Sequence, residues 1–263
     1  KMRIAIIVKD QFEVYAVKLN GDEEHDSFLL LSGRRQPSNK RDQNAVRSAL
    51  ARIARLSKSP RSLSETVCHA VAVGIWQITS DQYRIMWFYD EGRLIICTHY
   101  FVKKTQKTPP AQIERAKRMR DAYFKDKADG NLVKTQEAKA MQYGPEFESA
   151  FSEAMANPEY WMEEIRLDFI EELESLLKKK RISQTALARK LGKSDAYISK
   201  IMNSNISNFT LKTMVQLVLA AGGRLSLAIE DAEASARYDL PSVSIQTAPL
   251  EEVSRSASVS SPG

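Results

Sequence analysis

Two cysteines, three histidines and no long apolar run set the first limits on this 263-residue chain. Cys68 and Cys97 stand far apart, with no Cys-x-x-Cys and no histidine at ligand spacing. That argues against a disulfide framework and a structural zinc site, and points to a reducing cytoplasm. No stretch approaches the roughly 20 apolar residues that cross a bilayer, so no membrane partner is expected. Lys1-Met2-Arg3 run straight into a strand-like segment, and no signal peptide is expected. Glycine and proline are sparse, at 10 and 9, while 43% of residues are hydrophobic and 27% charged. Global disorder is excluded, and the length suits two domains of ordinary size.

The net charge of +6 is unevenly spread. Residues 1–130 carry 24 Lys and Arg against 15 Asp and Glu, whereas 131–177 carry 3 against 11. Residues 178–212 return to 9 against 1, and 213–263 carry 3 against 6. Two basic blocks flanking an acidic one suggest two polyanion-binding surfaces with an internal neutraliser for one of them. Three solvated faces that never meet are the bland alternative, so motifs must decide.

Residues 3–8 and 12–19 read as strands, followed by the turn pair Asn20-Gly21. Val46, Leu50, Ile53 and Ala54 recur at helical spacing from Gln43 to Leu56 beside Arg47, Arg52 and Arg55. Strands are expected at 70–79, 83–89 and 94–102, with a hairpin turn at Asp90-Glu91-Gly92-Arg93. Thr108-Pro109-Pro110 opens a helix, with Thr108 as its cap. The order predicts a compact α+β domain over 1–127, a small antiparallel sheet with helices. Residues 128–158 read as an acidic, polar connector with a short helix at 145–156. An all-helical domain follows over 159–232, carrying a stripe of Trp161, Ile165, Phe169, Leu173, Leu176 and Leu177. Beyond it, 233–263 has no apolar period and is expected to be disordered.

In the second domain Ser183 caps one helix, Leu187, Ala188 and Leu191 face inward, and Gly192 ends it. Ser194 caps the next, whose Ile198 and Ile201 return to the core. Two short helices joined by a glycine turn form a helix-turn-helix. The run from Gln184 to Ile201 resembles the Xre/Cro-type repressors, and within them the antitoxin branch, over about residues 160–222. Ser194, Asp195, Ala196, Ser199, Lys200 and Asn203 are expected to face base edges in the major groove. Gln184, Arg189, Lys190 and Lys193 sit where phosphate contacts belong. Asp195 would repel phosphate unless it accepts from a cytosine amino group. One such domain buries too little surface for operator affinity, which implies a homodimer on a palindrome.

In the first domain, the run Tyr83-Arg84-Ile-Met-Trp-Phe88, then His99-Tyr-Phe101-Val-Lys103-Lys104-Thr-Gln-Lys107-Thr108-Pro109, resembles the phage-derived HigB-like branch of the RelE/HigB toxins. The likeness spans roughly 65–124. It implies ribosome-dependent mRNA cleavage, a reaction that needs a base, an acid and positive charge on the pentacoordinate phosphate, and no metal or other cofactor. Arg84, Lys103, Lys104 and Lys107 are the candidates for charge stabilisation. His99 is the candidate proton shuttle, or else a satisfied strand histidine. Trp87, Phe88 and Tyr89 are expected in the core, and Tyr100 or Tyr123 is expected to stack on a base. Gln77 and Thr79 stand where many relatives carry a basic residue, and Tyr100 where the related branch usually has Gly.

Toxin-like then antitoxin-like halves reproduce the order of HigBA modules in one polypeptide. The expectation is an mRNA-cleaving toxin neutralised, in cis or in trans, by the C-terminal antitoxin half, whose helix from Tyr160 packs on the toxin half together with the acidic connector before it; that second half also binds operator DNA and represses its own transcription. A purely regulatory protein with a catalytically dead toxin fold is the main alternative. A gyrase-directed toxin of the ParE branch is a third, disfavoured by Arg84 and the lysine run.

Overall fold

β-Branched residues at the start of the chain pair with one another. β1 (Arg3–Lys9) and β2 (Glu13–Lys18) lie antiparallel, Ile4 opposite Val17 and Ala5 opposite Ala16. Both are buried except at their ends, because alternate side chains enter two separate cores. Ala5, Ile7, Val14 and Ala16 join one, and Ile4, Ile6, Tyr15 and Val17 the other. The computed structural model describes residues 1–19, 21–60, 63–65, 67–103, 107–135, 143–202, 210–227, 229 and the backbone of 243–246.

A short helix that the sequence pattern does not reveal, α1 (Ser27–Leu31), is nucleated by Asp26. Its carboxylate accepts from the Phe28 and Leu29 amides at 2.8 and 3.4 Å. α2 (Lys40–Lys58) begins at the cap Asn39 and buries Ala49, Leu50, Ile53 and Leu56. The expected strand 70–79 is instead a hairpin, β3 (Cys68–Ala72) and β4 (Ile75–Ser80), because Gly74 takes φ +69° between them. β5 (Tyr83–Asp90) and β6 (Leu94–Val102) follow, then α3 (Pro110–Ala128). Pro109 occupies the cap position of α3 without a side-chain bond, so Thr108 does not cap it.

The sheet order is β3-β4-β5-β6-β2-β1-β7, where β7 is Val133–Thr135. It is mixed rather than antiparallel as expected, since β2 runs parallel to β6 and β1 parallel to β7. The fold is α+β overall. α1 and α2 cover one face, and α3, through Ala116 and Tyr123, covers the other. Cys68 and Cys97 are buried free thiols, and burial pushes both up to about 12.

The composition places the first boundary at 127, but the first compact unit runs to Leu167 and the second begins at Asp168. The stretch read as a connector is integral to the first core. Tyr143 bridges to Val8, and Gly144 lies so close to Ile6 that a Cβ there would meet its carbonyl oxygen at 1.8 Å. Phe147 packs edge-on to Phe28 at 5.4 Å, and Phe151 stacks on Tyr143 at 4.0 Å. α4 (Glu148–Met155) carries Phe151, and α5 (Pro158–Lys180) adds Tyr160 and Leu167 to the same core. Aromatic payload spread among polar residues escapes a periodicity argument.

α5 also brings charge inside. The Glu163 carboxylate accepts from Arg52 Nε of α2 at 2.7 Å and from Arg166 Nε at 3.1 Å, and all three residues are buried. Burial works against ionisation of Glu163, but the two guanidiniums outweigh it and hold the carboxyl below its ordinary range. Asn44 of α2 adds a hydrogen bond to Glu159 at 3.1 Å.

The second unit contains α6 (Gln184–Lys190), α7 (Asp195–Met202) and α8 (Leu211–Ala220), with Leu187, Ala188, Ile198, Ile201, Leu217 and Val218 buried. β8 (Arg224–Leu227) pairs antiparallel with β9 (Val243–Gln246). β9 falls within the tail expected to be disordered; its register partners Leu225 and Leu227 supply the ladder that composition alone does not show.

Replacing Phe151 by Ala removes a fully buried ring and should cost about 3–5 kcal/mol. Urea unfolding followed by tryptophan fluorescence reads it. A cost below 1 kcal/mol would return 143–167 to the status of a loose connector.

Candidate active site and nucleic-acid interface

The sheet register places the candidate residues. His69 lies opposite Gln77, Gln77 opposite Met86, and Met86 opposite His99. One step along, Thr79 lies opposite Arg84 and Arg84 opposite Phe101. Opposed residues share a face, so His69, Thr79 and Arg84 emerge on the face that α3 covers further along.

Arg84 is tethered through Nη1 to the carbonyls of Asp81 and Tyr83 at 2.6 and 2.8 Å. Its Nε is buried and has no hydrogen-bond partner among the described residues. Burial, then the charge of Arg52, push its pKa down to about 10 against the pull of Asp81. The Lys103 amide donates to the Gln82 carbonyl at 2.8 Å, extending the ladder past β6. Burial lowers the Lys103 pKa, and the charge of Arg84 adds to it. His69 reports on the same cluster: burial lowers its pKa, a backbone bond at Glu65 opposes this, and the charges of Lys103 and Arg84 lower it further. His69 is thus a neighbour of the cations that motif spacing overlooks, because it lies upstream on β3. The strand pairing alone brings it in. Lys107 is exposed just before α3, and Lys104 lies outside the described residues.

His99 does not fit the role of proton shuttle. It is 0% exposed, with Nδ1 at 3.1 Å from Thr98 Oγ1 and Nε2 at 3.0 Å from Gln112 Oε1. Burial and the charge of Arg115 press its pKa down to about 3, so it stays neutral and holds α3 to β6. Gln77 and Thr79 have structural work too. The Thr108 hydroxyl donates to Gln77 Oε1 at 2.7 Å, and Gln77 Nε2 reaches Thr79 Oγ1 at 3.3 Å. Tyr123 cannot stack on a base, being buried with its hydroxyl on Asp90 at 2.8 Å. Trp87 and Phe88 lie in the core, whereas Tyr89 is partly exposed, edge-on to Trp87 at 4.7 Å.

In the second unit Ser183 accepts from the Ala186 amide and Ser194 from the Tyr197 amide, at 3.1 and 3.2 Å. Gly192 has φ +62° in the turn. Gln184, Arg189, Lys193, Ser194, Asp195, Ala196 and Lys200 are exposed, and Ser199 is half-buried. Asn203 lies outside the described residues. Asp195 is not left to face phosphate alone, since Thr185 Oγ1 donates to its Oδ2 at 3.3 Å. Lys190 Nζ donates to the Ala220 carbonyl at 3.2 Å, which turns it from phosphate to the end of α8. Lys193 Nζ sits 5.6 Å from the centre of the Tyr197 ring.

Residues 39–121 match the family described as phage derived protein Gp49-like (DUF891), and residues 173–226 match the helix-turn-helix family. The chain is thus similar to a Gp49-like domain in its first half and to a helix-turn-helix domain in its second. The first match spans the strands carrying His69, Arg84 and Lys103; the second spans α6, α7 and α8. This is the toxin-type and regulator-type pairing that the resemblances imply, and the helix-turn-helix match supports DNA binding. No curated protein matches the chain. Among the described residues no helix is long and apolar enough to cross a membrane.

A histidine held neutral when folded, with an ordinary value near 6.5 when unfolded, removes stability as pH falls from 6.5 toward 3. The slope approaches about 1.4 kcal/mol per pH unit, and His99→Gln should flatten it. An imidazole resonance of His99 that titrates near pH 6 would refute the buried, neutral assignment. On DNA, Lys200→Ala should lower the salt slope of binding by about one, while Lys190→Ala should leave the slope alone and loosen α8. Equal slopes for Lys200→Ala and the parent would place Lys200 off the phosphates.

Proposed function

We propose that the chain is a toxin–antitoxin fusion of the HigBA kind, acting in the cytoplasm. Its first unit cleaves mRNA on the ribosome, and its second binds palindromic operator DNA as a homodimer and represses its own transcription. The observation that carries the nuclease reading is Arg84: a half-buried guanidinium whose Nε has no partner among the described residues, flanked by Lys103 and His69. A buried N–H donor without a partner is rare in a folded protein, and a phosphate oxygen is the acceptor this cluster suits. Cleavage by the 2′-hydroxyl needs such charge on the phosphate more than anything else.

Neutralisation in cis is supported by the acidic segment itself. Residues 143–167 are folded into the first unit, and Glu163 takes up Arg52, whose charge otherwise adds to that felt by Arg84. The dimer is supported by α8, where Leu211, Val215 and Leu219 are exposed at a spacing of four residues as a single apolar stripe.

A second reading keeps only the regulator. It is favoured by Gln77 and Thr79, which supply no cation there, Gln77 accepting from Thr108 and donating to Thr79, and by the sequestered His99.

Expression of residues 1–167, which keep the whole first core, with Glu163→Gln to release Arg52 separates the readings. Growth arrest with mRNA cut in translated regions, abolished by adding Arg84→Ala and absent while Glu163 is intact, is the expected result. No arrest would sink the nuclease and leave the regulator; DNA damage without RNA cleavage would favour gyrase as the target.

A further inference from the structure

On the sheet face that carries Arg84, the described residues of β3 to β6 offer few groups able to exchange a proton. Asp90, at the opposite end of β5 from Arg84, is taken up by the Tyr123 hydroxyl at 2.8 Å and Lys127 Nζ at 2.7 Å. His99 is sealed beneath α3, with Nε2 on Gln112. β4 brings only the amide of Gln77 and the hydroxyl of Thr79 to this face. That leaves His69.

His69 sits on β3, the edge strand of the sheet, where a polymer can approach from the side. Its residue is half-buried, and its Nδ1 is buried without a hydrogen-bond partner among the described residues. A histidine kept only for structure would engage both ring nitrogens, as His99 does. Arg84 Nε is unpaired in the same way, on the same face, two strands inward. Two strand spacings amount to roughly 10 Å at the backbone, a gap that the two side chains and one ribose-phosphate unit fill. His69 also lies directly opposite Gln77 in the ladder, so it stands one strand outward of the position where β4 lacks a titratable group.

The groups that face the imidazole come from three elements. Burial, the largest influence, favours the neutral ring, as do the charges of Lys103 beyond β6 and Arg84 on β5. Glu65, in the turn before β3, pulls the other way. A neutral imidazole among cations accepts a proton instead of giving one.

We propose that His69 is the base of the cleavage reaction, taking the proton of the attacking 2′-hydroxyl while Arg84 holds the phosphate. The 2′-oxygen bonds to phosphorus, and the bond from phosphorus to the 5′-oxygen breaks. That oxygen leaves with a proton from the Lys103 ammonium, whose pKa is lowered by burial and by Arg84. The products are a 2′,3′-cyclic phosphate and a 5′-hydroxyl. Imidazolium and amine then recover their starting forms by exchanging protons with water.

The proposal rests on the nuclease reading above. The reference is the full chain with Glu163→Gln, supplied with ribosomes carrying a defined mRNA. His69→Ala and His69→Gln should each slow cleavage about a hundredfold or more at pH 7, the scale of a lost general base. Reference cleavage should fall tenfold per pH unit in acid, with its midpoint below the ordinary 6.5 of histidine, because a protonated ring accepts nothing. That acid limb should vanish in both variants. An mRNA with sulfur in place of the 5′-oxygen at the cut bond releases a thiolate that needs no proton, so the His69 defect should persist on it. Variants that cleave like the reference overturn the proposal. So does an acid limb that survives His69→Ala, or a defect that disappears on the sulfur substrate. Each of these three leaves the nuclease standing, whereas a reference that cuts no mRNA removes the nuclease and its base together.

Discussion

A single carboxylate buried between two guanidiniums underlies the organisation of the first unit. Glu163 would be costly to bury alone, as would Arg52 or Arg166. Each is tolerable only because the others are there, and they come from two helices, α2 and α5, far apart in sequence. Hydrophobic contacts around them tolerate sliding; a charge cluster of this kind does not, because a misplaced partner leaves an ion without a counter-ion in low dielectric. The cluster therefore specifies how α5 meets α2 more than it strengthens the meeting. Everything that depends on that register follows from it, including the seat of Tyr160 and Leu167 in the core and the compensation of Arg52.

Opposite logic governs Arg84. There a cation is half-buried without a carboxylate on its guanidinium, held by two backbone carbonyls and pressed by neighbouring positive charge. An arrangement that lowers the pKa of an arginine stores unfavourable electrostatic energy, which an arriving anion relieves. One unit thus treats arginine in two ways: paired with a carboxylate at Arg52 and Arg166, and held only by backbone carbonyls at Arg84.

Legibility in the sequence followed the reach of each physical signal. Strong periodicity made β1, β2, α2, β5, β6 and α3 readable to within a few residues, and capping residues with a glycine turn made α6 and α7 readable. Arg84 and Lys103 could be named because the run that carries them resembles a known toxin branch and sits on or beside those strands. His69 could not, because only the pairing of β3 with β4 carries it to them. His99 misled for the converse reason: it occupies the right strand, but burial under α3 was not visible from composition. The part that Tyr143, Phe147 and Phe151 play in the core is not legible from pattern, because they are spaced by polar and acidic residues that look solvated when read along the chain. Lys190 read as a phosphate contact until the end of α8 appeared beside it.

The integration of 143–167 into the first unit changes what separation could mean for this molecule. Two-chain inhibitor pairs come apart on dilution, or when a protease destroys one member faster than its mate. Here the acidic stretch and the cations share one backbone and one core, so their ratio is fixed at synthesis and no drop in cellular abundance can alter it. On the neutralisation proposed above, liberation would need a cut peptide bond or a melted helix, and the rate of such an event would be independent of how many copies the cell contains.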